Sequence, residues 1–229
     1  MDAHQWDFCQ IQYNYSNETY QAGKEGLKAA AGKGIPVIIM EPLLGGKLAT
    51  GLPKEAHELF TKADPSFSPA AWGLRWLWNQ SEVTCVLSGT NTIAQIEENI
   101  DAVRNARSLT ETELTVYAEV IAIFNKAYKI HCTGCNYCMP CSKGINIPGC
   151  FAACNTSYAQ NFITGMQQFL TSSAMMGKKP GSPRLCIECG KCESHCPQHL
   201  PIRKALKQAA GRFEPLPIRL GLSIARHFL

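Results

Sequence analysis

The stretch CTGCNYCMPC, from Cys132 to Cys141, decides the fold of the second half of the chain, because it holds four cysteines within ten residues. A second run, CIECGKCESHCP, extends from Cys186 to Pro197 and repeats the spacing of the first three cysteines. Three thiols at C-x2-C-x2-C bind three corners of one cubane, and in two-cluster proteins the fourth thiol comes from the other run. The doubled run therefore predicts two [4Fe–4S] clusters.

Because the last cysteine of each run is expected to bind the cluster of the other run, the sequence also predicts which cysteines share a cluster. The four ligands of one cluster are predicted to be Cys132, Cys135, Cys138 and Cys196. Those of the other are predicted to be Cys186, Cys189, Cys192 and Cys141. The first run departs from the common spacing in having one residue fewer before its last cysteine.

Structural zinc is the alternative partner for these thiols. Zinc is usually bound by two C-x2-C pairs separated by a longer spacer, so a third cysteine after two further residues, in both runs, favours the cubane. His131 and His195 flank predicted ligands. Since each run already has its thiols, we expect surface or hydrogen-bonding roles for these two histidines.

Four further cysteines lie outside the two runs. Cys150 and Cys154 are four residues apart, a spacing that suits either a ligand pair or two buried thiols on one helix face. Buried thiols are the favoured interpretation. Cys9 and Cys85 lie in predicted strands, where we expect them in the core.

Length and composition limit the class of protein. The chain has 229 residues, 45% of them apolar and 17% charged, and a net charge of +4. These values predict a globular protein of one large or two modest domains. Basic residues are scattered, so no nucleic-acid partner is expected, and no apolar run is long enough to span a membrane. The N-terminus does not have the pattern of a signal peptide, and ligand thiols must stay reduced, so we expect a cytoplasmic protein.

The first part of the chain predicts strands that alternate with helices, as in a parallel sheet. The expected strands cover residues 7–15, 35–40 and 83–89, and the expected helices end near 34, cover 53–62 and 69–80, and begin near 92. Thr110 and Glu113 then form a capping box that opens a long amphipathic helix. The segment between the two cysteine runs and the segment after Pro201 are also predicted to be helical. The predicted class is α/β plus α, with domains at residues 1–110 and 111–229.

Three segments of the first domain, FCQIQYNY, PVIIMEPLLGGKL and VLSGTNTIAQIEENI, together resemble the last three βα units of an aldo/keto reductase. The cysteine region resembles the ferredoxin-like C-terminal extension of a bacterial and archaeal subgroup of that family. The resemblance implies a partial (β/α)8 TIM barrel followed by a mostly helical iron–sulfur domain. It also implies an oxidoreductase that transfers electrons.

The resemblance carries over a nicotinamide-nucleotide site, with NAD(P) as a weakly supported cofactor. The implied residues are Gln10 at the nicotinamide, Glu41, Pro42 and Leu43 beside the pyrophosphate, Gly89 and Thr90 at a phosphate, and Glu98 and Asn99 at the adenine. Gly89 and Gln95 stand where NADP-dependent members carry a lysine and an arginine. Met40 stands where many members place an aromatic ring.

The family's catalytic residues belong to earlier strands, so no catalytic residue is assigned in this sequence. We expect the chain to be a fragment of a longer enzyme, a truncated product, or a domain that pairs with a complementing barrel half. Three functions remain open: part of an iron–sulfur oxidoreductase, a stand-alone ferredoxin-like electron carrier with the half barrel as scaffold, and a module whose clusters are structural. The expected partner is a redox protein or a nicotinamide cofactor.

Overall fold

The computed structural model describes residues 4–177 and 179–227, apart from the side chains of 224–227. These residues form two compact units, of which the first ends at Phe124 and the second begins at Asn125. No helix in the described part of the chain is long and apolar enough to cross a bilayer.

The first unit is built on a parallel sheet in the order β1-β2-β3. Its strands are β1 (Cys9–Gln12), β2 (Val37–Met40) and β3 (Cys85–Val86). Five helices accompany them: α1 (Gly23–Ala31), α2 (Lys54–Ala63), α3 (Pro69–Trp78), α4 (Ile93–Arg104) and α5 (Glu111–Ala127). Strands and helices alternate as the sequence predicts, as expected of part of a βα barrel.

The third strand is much shorter than the predicted 83–89, and two cysteines in the edge strands are less buried than expected. Cys85 is exposed and Cys9 only partly buried, so the expectation that both lie in the core is wrong. β3 is an edge strand that pairs only with β2 among the described residues, and β1 is the opposite edge. Apolar sequence at a sheet edge is buried only where something covers it.

Aromatic side chains form the core of the first unit. The rings of Phe60 and Trp72 are stacked at 4.9 Å between centroids, and Tyr15 and Tyr117 pack around them. The Tyr117 hydroxyl donates a 2.7 Å hydrogen bond to the Trp72 carbonyl oxygen, which joins α5 to α3. Because a buried hydroxyl needs a partner, this bond fixes how α5 lies on the core.

A buried ion pair joins the same two helices. Arg75 on α3 is 2% exposed and donates from Nη2 to Glu113 Oε1 at 2.6 Å. Glu113 also completes the predicted capping box, since its carboxylate accepts from the Thr110 N–H at 2.8 Å while the Thr110 hydroxyl accepts from the Glu113 N–H. These contacts explain why the compact units divide at 124/125, whereas the sequence placed the domain boundary at 110/111.

The second unit is helical in its described residues. Its helices are α6 (Ile147–Ala159), α7 (Phe162–Ser172), the short α8 (Lys191–Ser194), α9 (Ile202–Phe213) and α10 (Leu216–His227), with a 3-10 turn at Pro183–Leu185. Phe169 and Phe213 stack at 4.6 Å in its core. A Cβ at Gly165 would collide with the Ser157 backbone, so a glycine is needed where α7 crosses α6.

Candidate metal centres and nucleotide cleft

The predicted cysteine ligands surround two clefts in the second unit. The first cleft is bordered by Cys132, Cys135, Cys138 and Cys196. The second cleft is bordered by Cys138, Cys141, Cys186, Cys189 and Cys192. Each cleft thus brings together thiols from both runs, and every cysteine of the two runs borders at least one of them.

The two clefts differ in size and lining. The first has a volume of about 20 Å³ and is closed by apolar side chains that include Phe151, Leu200 and Ile202. The second has a volume of about 520 Å³ and is bordered by cations as well as apolar groups. Cys138 and Ile147 border both clefts and form their common wall.

The loops between the ligands have the same backbone conformation in both runs. Gly134 and Glu188, each just before the second cysteine, have φ of 80° and 57°. Asn136 and Gly190, each just after it, have φ of 65° and 77°. Left-handed residues placed among ordinary ones turn successive N–H groups toward one concavity, a conformation that recurs around iron–sulfur clusters. The second run is therefore a conformational repeat of the first.

The donor set fits a cubane. Within residues 4–177 and 179–227, no three His, Cys, Asp or Glu side chains are arranged to hold a single metal ion. A cubane instead takes one thiolate at each of four irons and so needs ligands that stand further apart. Burial first, and the neighbouring Cys132 next, raise the pKa of Cys138 to about 11. This thiol is protonated at neutral pH, so binding of iron must release its proton.

Asn155 positions the first run. Its Oδ1 accepts from the Ile130 N–H at 3.0 Å and its Nδ2 donates to the Ile130 carbonyl oxygen at 2.7 Å. Both bonds are buried, and Ile130 lies two residues before Cys132. The side chain therefore fixes the backbone that leads into the first ligand. The sequence analysis did not identify Asn155, because its only local signal is a polar residue within a largely apolar helix.

A buried carboxylate positions the second run. Glu214, 3% exposed, accepts from the Ser182 hydroxyl at 2.9 and 2.8 Å. Arg184 donates from Nη2 to the Glu214 carbonyl oxygen at 2.9 Å. Beyond the run, Arg203 donates from Nε to Glu193 at 2.9 Å and so joins α9 to α8. The loop before Cys186 and the short helix that contains Cys192 are therefore both tied to the longer helices of the second unit.

Cys150 and Cys154 are buried, as predicted from their spacing. They are 0% and 3% exposed and belong to the apolar core of the second unit. The Cys150 Sγ lies 3.3 Å from the Ser173 hydroxyl, and burial raises the pKa of both thiols. Neither residue borders either cleft.

The first unit contains a third cleft of about 1020 Å³ near the ends of β2 and β3. Seven of the eight residues that the resemblance assigned to a nucleotide border it: Glu41, Pro42, Leu43, Gly89, Thr90, Glu98 and Asn99. Gln10, the eighth, does not border it. Its amide instead donates to the sulfur of Met40, itself a lining residue, at 3.2 Å.

The third cleft fits a dinucleotide only in part. It contains the start of α4, where Thr92 accepts from the Gln95 N–H at 3.3 Å, and a helix N-terminus can receive a phosphate. The described residues that line it include Glu41 and Glu98 but no lysine or arginine. A diphosphate would therefore meet two carboxylates, and His57 is the one basic side chain among the described lining residues. Gln95 lines this cleft and accepts from the Asn91 N–H at 3.0 Å.

Two tyrosines follow β1 and are the nearest candidates for a proton donor in that part of the chain. Tyr13 and Tyr15 are 0% and 1% exposed. Burial raises the pKa of both, and the Glu18 carboxylate raises that of Tyr13 further. Both phenols belong to the core of the first unit, and neither borders the third cleft.

Two family models match the chain. The model of the 4Fe-4S dicluster domain matches residues 131–200, which include all eight cysteines of the two runs. The model of the aldo/keto reductase family matches residues 2–122, more than half of the chain. No significant match to a curated protein or to a solved structure was found. The resemblance to the family and that to a dicluster domain are thus confirmed, and the chain belongs to the aldo/keto reductase family, with a 4Fe-4S dicluster domain after its reductase region.

Proposed function

We propose that this chain is an iron–sulfur oxidoreductase of the aldo/keto reductase type whose two [4Fe–4S] clusters carry single electrons. The grouping of the eight thiols around two clefts supports the proposal. So does the repeated left-handed backbone of the two runs. The three strands of the first unit would then be the sixth, seventh and eighth of the family's barrel.

The proposed ligands follow the exchange between runs. One cluster would be held by Cys132, Cys135, Cys138 and Cys196, and the other by Cys186, Cys189, Cys192 and Cys141. The borders of the two clefts support this partition, since Cys196 borders only the first cleft and Cys141 only the second. The chain itself supplies thiolates, apolar walls that exclude water, and backbone N–H groups near the sulfurs. Because cubanes are labile to oxidants, we propose a reducing, cytoplasmic location.

The test is anaerobic purification followed by metal and sulfide analysis. We expect about eight irons and eight acid-labile sulfides per chain, the content of two cubanes. Cys138→Ala should lower both contents, whereas the matched variant Cys150→Ala, at a buried thiol outside the clefts, should leave them unchanged. Stoichiometric zinc without sulfide would contradict the proposal.

The second candidate is a stand-alone electron carrier in which the reductase region serves as scaffold. The lining of the third cleft favours it, because no lysine or arginine lies among its described residues to bind a diphosphate. The two candidates differ in their response to nicotinamide nucleotides. Bleaching of the cluster absorbance by NADH or NADPH would support the first, and bleaching by dithionite alone would support the second.

We further propose that a complementing barrel half covers part of the first unit. Ile93, Ile96, Ile100 and Val103 lie along one stripe of α4 and are 75%, 47%, 43% and 44% exposed. Such a stripe is typical of a helix face that packs on a neighbour. Co-expression with a tagged chain of five βα units of an aldo/keto reductase tests this. The double variant Ile96→Glu/Ile100→Glu should lose capture, and equal capture would contradict the proposal.

A further inference from the structure

Charge is unequally divided between the two units. Residues 125–229 contain thirteen lysines and arginines against three glutamates, a net +10, whereas residues 1–124 contain nine against fifteen acidic residues, a net −6. Eight thiolates on two cores of charge 2+ would lower the charge of the second unit by about four. The second unit is therefore strongly basic, although the whole chain has a charge of only +4.

Cations lie at the rim of the second cleft. Lys143 and Lys191 border it, are exposed, and have no ion pair among the described residues. Arg203 also borders it and is paired with Glu193 at 2.8 Å. No acidic side chain in the described part of the chain borders this cleft.

Exposed apolar side chains lie beside those cations. Tyr137 and Ile187, each between two ligand cysteines, are 68% and 59% exposed. Both border the second cleft. Leu185, just before Cys186, is 45% exposed. An apolar centre that includes an aromatic ring, within a charged rim, is typical of a surface that binds another protein.

We propose that the face around the second cleft, formed by Tyr137, Lys143, Ile187 and Lys191, binds an acidic electron-carrier protein. The proposal rests on the proposed function, because it names the partner of the second cluster site. The first cleft offers no comparable face, since no charged side chain of the described residues lines it and its volume is about 20 Å³. Carboxylates on the partner would meet Lys143 and Lys191, while an apolar contact would form on Tyr137 and Ile187.

The arrangement of charges favours a protein over a phosphate-rich partner. Glu188 and Glu193 stand between the ligands of the second run and next to its cations, and Glu188 pairs with Lys207 at 2.7 Å. These two carboxylates lie beside the face and are already paired with cations, so they interrupt its positive charge. An interrupted positive charge suits a few placed carboxylates better than a continuous array of phosphates on a membrane or a nucleic acid. A protein can place its acidic groups opposite the unpaired Lys143 and Lys191 and place none of them opposite Glu188 and Glu193.

The first test measures binding of an acidic two-cluster ferredoxin to the cluster-loaded chain, by calorimetry under anaerobic conditions at 50 and 300 mM NaCl. We expect Kd to rise about tenfold over this range, because salt screens complementary surface charges. Lys143→Glu/Lys191→Glu should weaken binding at low salt by at least about tenfold. Lys126→Glu/Lys179→Glu changes the net charge equally at two exposed lysines of the second unit that do not border the cleft, and should have little effect.

A second variant tests the apolar contact without a change of charge. Tyr137→Ser should weaken binding several-fold at both salt concentrations. Iron and sulfide are measured first in every variant. A chain without clusters refutes the proposed function, whereas a loaded chain whose affinity is the same in the Lys143→Glu/Lys191→Glu variant and its control refutes only the docking proposal. Tighter, lysine-dependent binding to phosphatidylglycerol vesicles or to single-stranded DNA would also overturn it.

Discussion

Replacement of Glu113 by glutamine should lower the free energy of unfolding of the first unit, because it leaves the charge of Arg75 without its partner. Arg75 is 2% exposed and Glu113 12% exposed. The guanidinium also lies 4.2 Å from the Phe67 ring centroid, but a ring cannot neutralise a buried charge as a carboxylate does. Removal of one partner of a buried ion pair typically costs about 3–5 kcal/mol.

The lowered pKa of Glu113 points in the same direction, with Thr110 and Arg107 contributing to it as well as Arg75. Burial acts to raise it, but hydrogen bonds from the Thr110 N–H, from Arg107 and from Arg75 outweigh burial and lower it from 4.5 to about 2. A difference of that size corresponds to about 3 kcal/mol in favour of the ionised folded state. Both arguments therefore predict that Glu113→Gln lowers the free energy of unfolding by about 3 kcal/mol.

Urea denaturation followed by tryptophan fluorescence is the suitable assay. All four tryptophans lie in residues 1–124, so the fluorescence reports on the first unit. With a urea dependence of about 2 kcal/mol per molar, the midpoint should fall by about 1.5 M. Glu111→Gln, an exposed carboxylate in the same helical turn, is the matched control. Equal midpoints for the two variants would refute the reasoning.

The same carboxylate predicts a dependence on pH. Its pKa is lower in the folded state than in the unfolded state, so its contribution to stability is present above about pH 4.5 and is lost as the pH falls toward 2. The difference in midpoint between wild type and Glu113→Gln should therefore be constant from pH 8 to 6 and begin to shrink near pH 4. A difference that grows on acidification would contradict this.

Three further outcomes are expected. Cys196→Ser should remove the cluster of the first cleft and spare that of the second, as followed by electron paramagnetic resonance of the reduced protein; the opposite pattern would show that ligands are not exchanged. Asn155→Ala, which leaves two buried backbone groups of Ile130 unpaired at about 1–3 kcal/mol each, should make the first-cleft cluster more sensitive to a chelator than Asn125→Ala does. The purified 229-residue chain should not reduce aldehydes or ketones with NADH or NADPH, because Tyr13 and Tyr15 are buried; sustained carbonyl turnover would disprove this.

The family of the cysteine region and the starts of α4 and α5 could be predicted from the sequence, because each depends on residues close together in the chain. The spacing of the cysteines alone indicated two cubanes, and Thr110 with Glu113 alone indicated the start of α5. The repeated left-handed backbone conformation of the two runs could be predicted from the sequence only in part. Gly134 and Gly190 suggest such a conformation, whereas Glu188 does not, since it is an uncommon residue for a positive φ.

Features that depend on distant residues could not be predicted. Cys85 lies in an apolar run that suggested a buried strand, but burial of an edge depends on what packs over it. The role of Asn155 depends on Ile130, 25 residues away, and that of Glu214 on Ser182, 32 residues away.

Both cysteine runs contribute thiols to the first cleft, so its full set of thiols exists only late in translation. Cys196, one of the four thiols around that cleft, follows Cys138 by 58 residues in the chain. Three of the thiols therefore emerge from the ribosome well before the fourth has been translated, and α6 and α7 are translated in between. Iron delivered to the nascent chain meets an incomplete set of thiols at the first cleft until the second run has emerged. The N-terminal run is thus the first to be translated, yet its cleft cannot be completed before the later run has been made.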